Sequence, residues 1–422
     1  MPHANVTGYA ALIGFSVVLA GCTTSPPSPP DLRVEGLEVV QAIQSPDNAV
    51  LLVAGKRTIV RLYVMREKID HFNAPRVGAT LQGFRNGVSL GTLTPLTPGG
   101  LLAVNGEYLR TRFEDSMNFE LPANWTAAGA IRLRAVVDPA QTFAEANRAN
   151  NVIELDPVTF QPAKTLRLRF VRFSYLRNGQ RLEPSQRDVD EIVSTVKRMF
   201  PVAEVDVATT YLLHNCAPEP CNTTFVGPTY PFGTPWREDV RDATMAARRS
   251  AEPDNPDALY FGLYTMPRDI LDLTSRGTAW WRDRVATLYT VAGINEARDA
   301  LNSLGRSGTH EIGHLLGRSH ILCNGTEDNP DPNYRPAGGA IGGFPTNALG
   351  LDIGDTAFDP THTMRLMQGE AADLMTYCAP GWISTYTYEG IYRCRRRLNF
   401  EPPCRSNIEP GLVADFLVVG CG

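Results

Sequence analysis

The sequence predicts a multidomain chain: an all-β sandwich, followed by an α+β domain that carries the chemistry. Three observations lead there. The chain has 422 residues, too many for one ordinary core. From residue 32 to 160, short β-rich runs alternate with turn residues. Beyond residue 164, strand and helix patterns mix and lead to His310-Glu311-Ile312-Gly313-His314-Leu315-Leu316-Gly317-Arg318-Ser319-His320. A hydrophobic content of 43% with 20% charged residues excludes a disordered chain. The formal net charge of -5, with no strongly basic domain, excludes nucleic acid as a partner.

Residues 1–22 read as an export signal. The apolar run from Ala10 to Ala20 is too short to span a bilayer but long enough for a signal-peptide core. It ends in Leu19-Ala20-Gly21-Cys22, which resembles the bacterial lipobox, although no Lys or Arg precedes the run. The resemblance implies cleavage before Cys22, lipidation of its thiol, and an extracytoplasmic chain anchored to a bacterial membrane, at the cell surface or in the periplasm. Ordinary secretion is the alternative. Residues 23–31, rich in Pro and Ser, form a stiff tether. Export makes disulfides plausible, and proximity suggests Cys216 with Cys221, Cys394 with Cys404, and Cys323 with Cys378; Cys421 is then odd.

The sandwich, residues 32–162, is expected from strands at Leu37–Ile43, Val50–Val53, Thr58–Val64, Ala79–Phe84, Phe113–Leu121, Ile131–Val137 and Asn151–Leu155. Val137-Asp138-Pro139, with Glu145, Asn147, Asn150 and Asn151 behind it, resembles the end of bacterial immunoglobulin-like domains associated with cell adhesion. The resemblance implies an immunoglobulin-like spacer or recognition module. Tyr108 and Trp125 need no role beyond the core.

In the second domain, residues 164–422, Leu166–Phe173 alternates as a strand. Ser185 and Asp188 cap a helix whose apolar positions run from Val189 to Phe200, where Pro201 stops it. A strand at Glu204–Leu212 precedes a turn-rich insertion, about Leu213 to Asp257, in which His214 reads as surface polar. Strands follow at Ala258–Thr265, Gly277–Trp281 and Arg284–Val291. A helix then starts near Asn295 and carries Ala297, Ala300, Leu301 and Leu304 inward before it reaches His310.

In a helix four residues advance by about 400°, so His310 and His314 lie about 40° apart, one turn above the other. That spacing suits two imidazoles on one cation. Glu311 lies on the same side, where its carboxylate can act as general base without being a ligand. Gly317 can take the φ > 0 conformation that ends a helix and so return His320 as a third ligand. Three protein ligands are the arrangement of a catalytic rather than a structural Zn2+.

This extended motif and the element order before it resemble the catalytic domain of metzincin metalloproteases. That family also has a Met-containing turn, matched by Asp373-Leu374-Met375-Thr376-Tyr377-Cys378. The resemblance implies that Met375 floors the imidazoles and that an edge strand, Gly277-Thr278-Ala279, pairs with extended peptide. Tyr377 matches the position where astacin-like and serralysin-like members place a Tyr near the metal, which implies a hydroxyl for the developing oxyanion; a core Tyr is the alternative. The run from His320 to Met375 is longer than in compact members. Its acidic part, residues 327–333, offers ligands for a structural Ca2+ but lacks EF-hand spacing and reads as a solvated loop. His362 reads as a spare. The segment from Trp382 to Tyr388 is a candidate wall of the cleft, and Arg393, Arg395, Arg396 and Arg397 read as a solvated face. The expected activity is zinc-dependent cleavage of protein or peptide substrates. The alternatives are a non-catalytic adhesion lipoprotein and a zinc hydrolase of cell-wall peptide amides.

Overall fold

The computed structural model describes residues 30–67, 74–177, 180–213, 234–252, 255, 257–266, 276–280, 282–291, 304–325, 327, 329–343 and 345–396. Outside these lie residues 1–29, and with them the expected export signal, the expected lipidation residue Cys22 and most of the expected tether. His214, Cys216, Cys221, Ala297, Cys404 and Cys421 lie outside them too. Among the described residues no helix is long and apolar enough to cross a membrane.

The N-terminal part is a two-sheet β-sandwich. One sheet has the order β1 (Asp31–Val40), β4 (Ile59–Glu67), β8 (Met117–Glu120). The other runs β3 (Leu52–Val53), β10 (Val152–Gln161), β9 (Gly129–Val137), β5 (Arg76–Arg85), β6 (Val88–Leu93), with β7 (Leu101–Ala103) beside β5. Along β9, Ile131, Leu133, Ala135 and Val137 are buried and alternate with half-buried residues, as a strand with one face on a core requires. Trp125 closes this core, and Tyr108 stacks on Tyr63 at 4.8 Å. The expected strands thus recur with shifted ends, but the hairpin of β5 and β6 was not anticipated. Its signal is Asn86-Gly87, both at positive φ, the pair favoured in a tight hairpin turn.

The second part is built on a mixed sheet. β13 (Val205–Leu213), β11 (Leu166–Arg177), β14 (Ala258–Met266) and β16 (Val285–Val291) are parallel. β15 (Gly277–Trp280) is antiparallel to β16 at the edge, and β12 (Gln180–Leu182) folds back on the end of β11. Every residue of β14 is buried because both faces are covered. On one face lie α1 (Gln186–Met199), which has the expected Ser185–Asp188 capping box, and α3 (Leu304–Leu315). On the other lies α2 (Thr234–Ala251), packed through Val240. This helix corrects the expectation of a purely turn-rich insertion. The apolar spacing of Val240, Ala243 and Ala247 was its signal.

A third sheet joins the two parts. β2 (Ile43–Gln44) pairs with β17 (Leu349–Asp352), which pairs with β18 (Arg365–Met367), so the long run after His320 is sewn to the sandwich. Ala42, Ile43 and Val50 share one core with α1, α3 and Trp382. Arg110 donates to Glu38, to the Gln44 carbonyl at 2.7 Å and to the Asn347 carbonyl at 2.8 Å. The Trp382 indole donates to the Ala42 carbonyl at 2.7 Å, and the Tyr388 hydroxyl to Gln41 at 3.2 Å. Trp382 and Tyr388 therefore pack against the sandwich and are not free to line a cleft, whereas Tyr386 turns to Asp331 and Tyr334 in the run after His320. Helix α4 (Thr385–Arg396) buries Arg395 against the Lys164 carbonyl, so the arginines are not one solvated face.

Lys56 lies buried in this junction, its ammonium donating to the carbonyls of Lys197 and Arg198 at the end of α1. Burial, with Arg198 nearby, pulls its pKa down to about 7. The unfolded chain, with lysine near its ordinary value of about 10.4, binds more protons over the interval between. Folding stability is therefore expected to rise from pH 7 to pH 10, and the penalty is complete below pH 7. Urea midpoints of the wild type against Lys56→Met check this: the variant is expected to lose most of the rise.

Candidate metal centre

The centre forms where α3 ends. Leu315 is its last residue, and Gly317 takes φ 78°. The Gly317 amide donates to the His314 carbonyl at 2.9 Å and the Arg318 amide to the Gly313 carbonyl at 3.0 Å, the two bonds of a Schellman turn. The chain reverses and returns His320 to the helix. Its continuation is held by the Ile321 amide, which donates to the Met375 carbonyl at 3.0 Å.

The three imidazoles converge through Nε2. His314 Nε2 lies 3.0 Å from His310 Nε2 and 3.0 Å from His320 Nε2. His310 Nδ1 is 2.8 Å from the Leu374 carbonyl and His314 Nδ1 is 2.7 Å from the Arg318 carbonyl. A carbonyl only accepts, so both Nδ1 atoms carry hydrogen, and in the neutral rings both Nε2 atoms present lone pairs. Burial opposes the charged form: it holds His310 well below the usual value and, with His320 nearby, His314 at about 4. Two facing lone pairs with no proton between them repel, and a cation relieves that repulsion. Nitrogens about 2.1 Å from one tetrahedral cation lie about 3.4 Å apart, so the observed spacing suits a shared ion after slight expansion. The donor set, three imidazoles with carbonyls behind two of them, fits zinc.

Glu311 is buried on the same helix. A Cβ on Gly277 would fall 2.6 Å from Glu311 Oε1, so its carboxylate rests against the backbone of edge strand β15. The centre and the edge strand are thus contiguous.

The turn Asp373–Cys378 lies beneath. Asp373 is fully buried, which raises its pKa, yet its oxygens accept from the amides of Met375 at 2.7 Å and Ser384 at 2.9 Å. That brace directs the Leu374 carbonyl at His310. Met375 is buried under the helix, its sulfur 2.6 Å from where a Cβ on Gly313 would fall. Tyr377 is half exposed, with its hydroxyl 3.0 Å from His320 Nε2.

Cys323 and Cys378 form a disulfide, the pairing their positions suggested, and tie the strand after His320 to the turn. Cys394 is disulfide-bonded too. Glu327 lies against Cys323 and Cys378, but oxidised sulfurs are not thiolate ligands, and the 2.7 Å approach of its Oε1 to Cys323 Sγ is a contact without a hydrogen. The acidic run is not the solvated loop expected: Glu327 and Asp331 are buried. Glu327 accepts from the amides of Cys323 and Tyr377, and Asp331 from the Tyr386 hydroxyl at 2.7 Å. With these partners Glu327 and Asp331 brace the loop, and among the described residues they belong to no cluster of three carboxylates. His362 sits away from the centre, 3.2 Å from buried Asp352, which Arg198 also pairs at 2.6 Å.

No family model matches the sequence, and no curated protein does. Among solved structures, the chain is similar to the crystal structure of a CARDB domain from Pyrococcus furiosus, solved in complex with di-metal ions. The identity is 22% over 32% of this chain and 90% of that one, with a TM-score of 0.20. A solution structure of the same domain gives 21%, 32%, 96% and 0.19.

Gly313→Ala gains helix propensity but drives a methyl group into Met375. Its expected net effect is a destabilisation of about 1–3 kcal/mol, read from urea unfolding, because the sulfur sits in a closed core.

Proposed function

We propose that the chain is a zinc-dependent endopeptidase of the metzincin type, exported and lipid-anchored through Cys22, acting on extracytoplasmic proteins. The observation that carries the reading is the convergence of three Nε2 atoms, two of them with Nδ1 committed to carbonyls, at the end of the helix that also buries Glu311. Bound zinc would supply the Lewis acidity that makes water nucleophilic near neutral pH. His310, His314 and His320 would hold it as neutral donors. Glu311 takes the proton from the attacking water and returns it to the leaving amine. The Tyr377 hydroxyl donates to the oxygen that becomes negative on the scissile carbonyl. Edge strand β15 pairs with the extended substrate main chain and lays the scissile peptide along the carboxylate it touches.

An adhesion lipoprotein with a vestigial centre is the rival reading. The intact set of three imidazoles and Glu311, with its carbonyl partners, weighs against it. Hydrolysis of cell-wall peptide amides uses the same chemistry and differs only in substrate.

The purified chain lacking residues 1–22 is expected to hold one zinc and to cleave unfolded proteins. Glu311→Gln is expected to keep the zinc and lose activity by a factor on the order of 10³. Folded wild-type protein without zinc would sink the reading; full activity in Glu311→Gln would remove only the assigned base. Anchoring is checked separately by fatty-acid labelling, which Cys22→Ala is expected to abolish together with membrane association.

A further inference from the structure

Tyr377 differs from the three imidazoles in being 51% exposed, so packing alone does not register its phenol against them. An exposed ring on a turn can change rotamer, and its resting place follows the peptide that carries it. That peptide is gripped. Arg306 Nη2 donates to the Thr376 carbonyl at 3.1 Å and to the Cys378 carbonyl at 2.6 Å, the two that bracket Tyr377. From the other side Glu327 accepts from the Tyr377 amide at 3.4 Å, and the disulfide fixes Cys378. Arg306 lies one helical turn before His310 on α3, so it moves with the helix that carries His310, Glu311 and His314. The grip needs Gly381, where a Cβ would fall on the guanidinium.

We infer that Arg306 is a positioning residue: it transmits the placement of the His helix to the Tyr377 peptide and so sets how far the phenol stands from the metal-facing nitrogens. The inference rests on the hydrolytic reading of the centre. Arginine suits the task because its planar head can bridge two carbonyls while buried, and a lysine ammonium holds such a bridge less rigidly.

The test compares the full-length protein with Arg306→Lys, Arg306→Met, Gly381→Ala, Tyr377→Phe and Arg306→Met combined with Tyr377→Phe. Zinc content, hydrogen exchange and peptide hydrolysis are measured on each. Arg306→Met is expected to keep one zinc per chain and raise exchange across residues 373–382 while residues 304–315 stay protected. Its kcat is expected to fall about tenfold with KM within about twofold, a loss that matches Tyr377→Phe. The double variant is expected to lose less than about twofold beyond Tyr377→Phe alone, because both changes remove one effect. Arg306→Lys is expected to recover part of the loss, and Gly381→Ala to reproduce it with Arg306 intact. Zinc loss, deprotection of residues 304–315, or additive losses in the double variant would overturn the inference. Wild-type protein without zinc would instead overturn the hydrolytic reading. Exchange then decides alone: unchanged exchange at 373–382 in both Arg306→Met and Gly381→Ala overturns the positioning role.

Discussion

Two backbone carbonyls decide what the centre is. Those of Leu374 and Arg318 accept only, so they assign hydrogen to one nitrogen of His310 and of His314 and turn the other, as a lone pair, inward. Much of the surrounding structure serves to deliver these oxygens. The Schellman turn at Gly317 presents the Arg318 carbonyl to the ring it follows. Asp373, buried at a cost that raises its pKa, gives its oxygens to the Met375 and Ser384 amides and so aims the Leu374 carbonyl at the helix. In the same turn the Met375 carbonyl holds Ile321, and those of Thr376 and Cys378 hold Arg306. The turn is a row of acceptors facing one helix and the chain that leaves it.

The sheet supplies the other fixed reference. With β14 buried at every position and α1 and α3 on the same face, the His helix has little freedom to roll. Glu191 of α1 accepts from the Gly305 amide at 2.9 Å and so satisfies an otherwise unpaired donor at the start of α3. Glu311 meets β15 only because residue 277 has no side chain. The helix that carries His310 and His314 and the edge strand β15 are thereby brought within one carboxylate of each other.

Much of this was legible in the sequence. The spacing of His310 and His314, the helix stop at Gly317 and the capping pair Ser185–Asp188 are local properties, and local properties survive folding. The acidic run was misread because Glu327 and Asp331 acquire partners that are distant in sequence, Tyr377 and Tyr386. Arg306 and Arg395 carry no local mark; their partners are backbone carbonyls 70 and 231 positions away. Helix α2 left a faint stripe within a Pro-rich stretch, and the stretch dominated. The hairpin at Asn86-Gly87 has its mark in that dipeptide and in the alternation of β5, whereas β6 buries no residue and so carries no apolar stripe.

The seam between the two parts has a consequence for how the chain matures. Trp382 reaches Ala42 across 340 positions, and Arg57 reaches the Ile353 carbonyl across 296. During synthesis the sandwich strands are complete long before these partners arrive. Until then Ala42, Ile43 and Val50 lack the cover of Trp382, whereas the ammonium of Lys56 can already meet the end of α1. Loop closure over such separations is slow relative to local pairing. The nascent sandwich therefore waits with an apolar edge open, and a segment 340 positions downstream seals it.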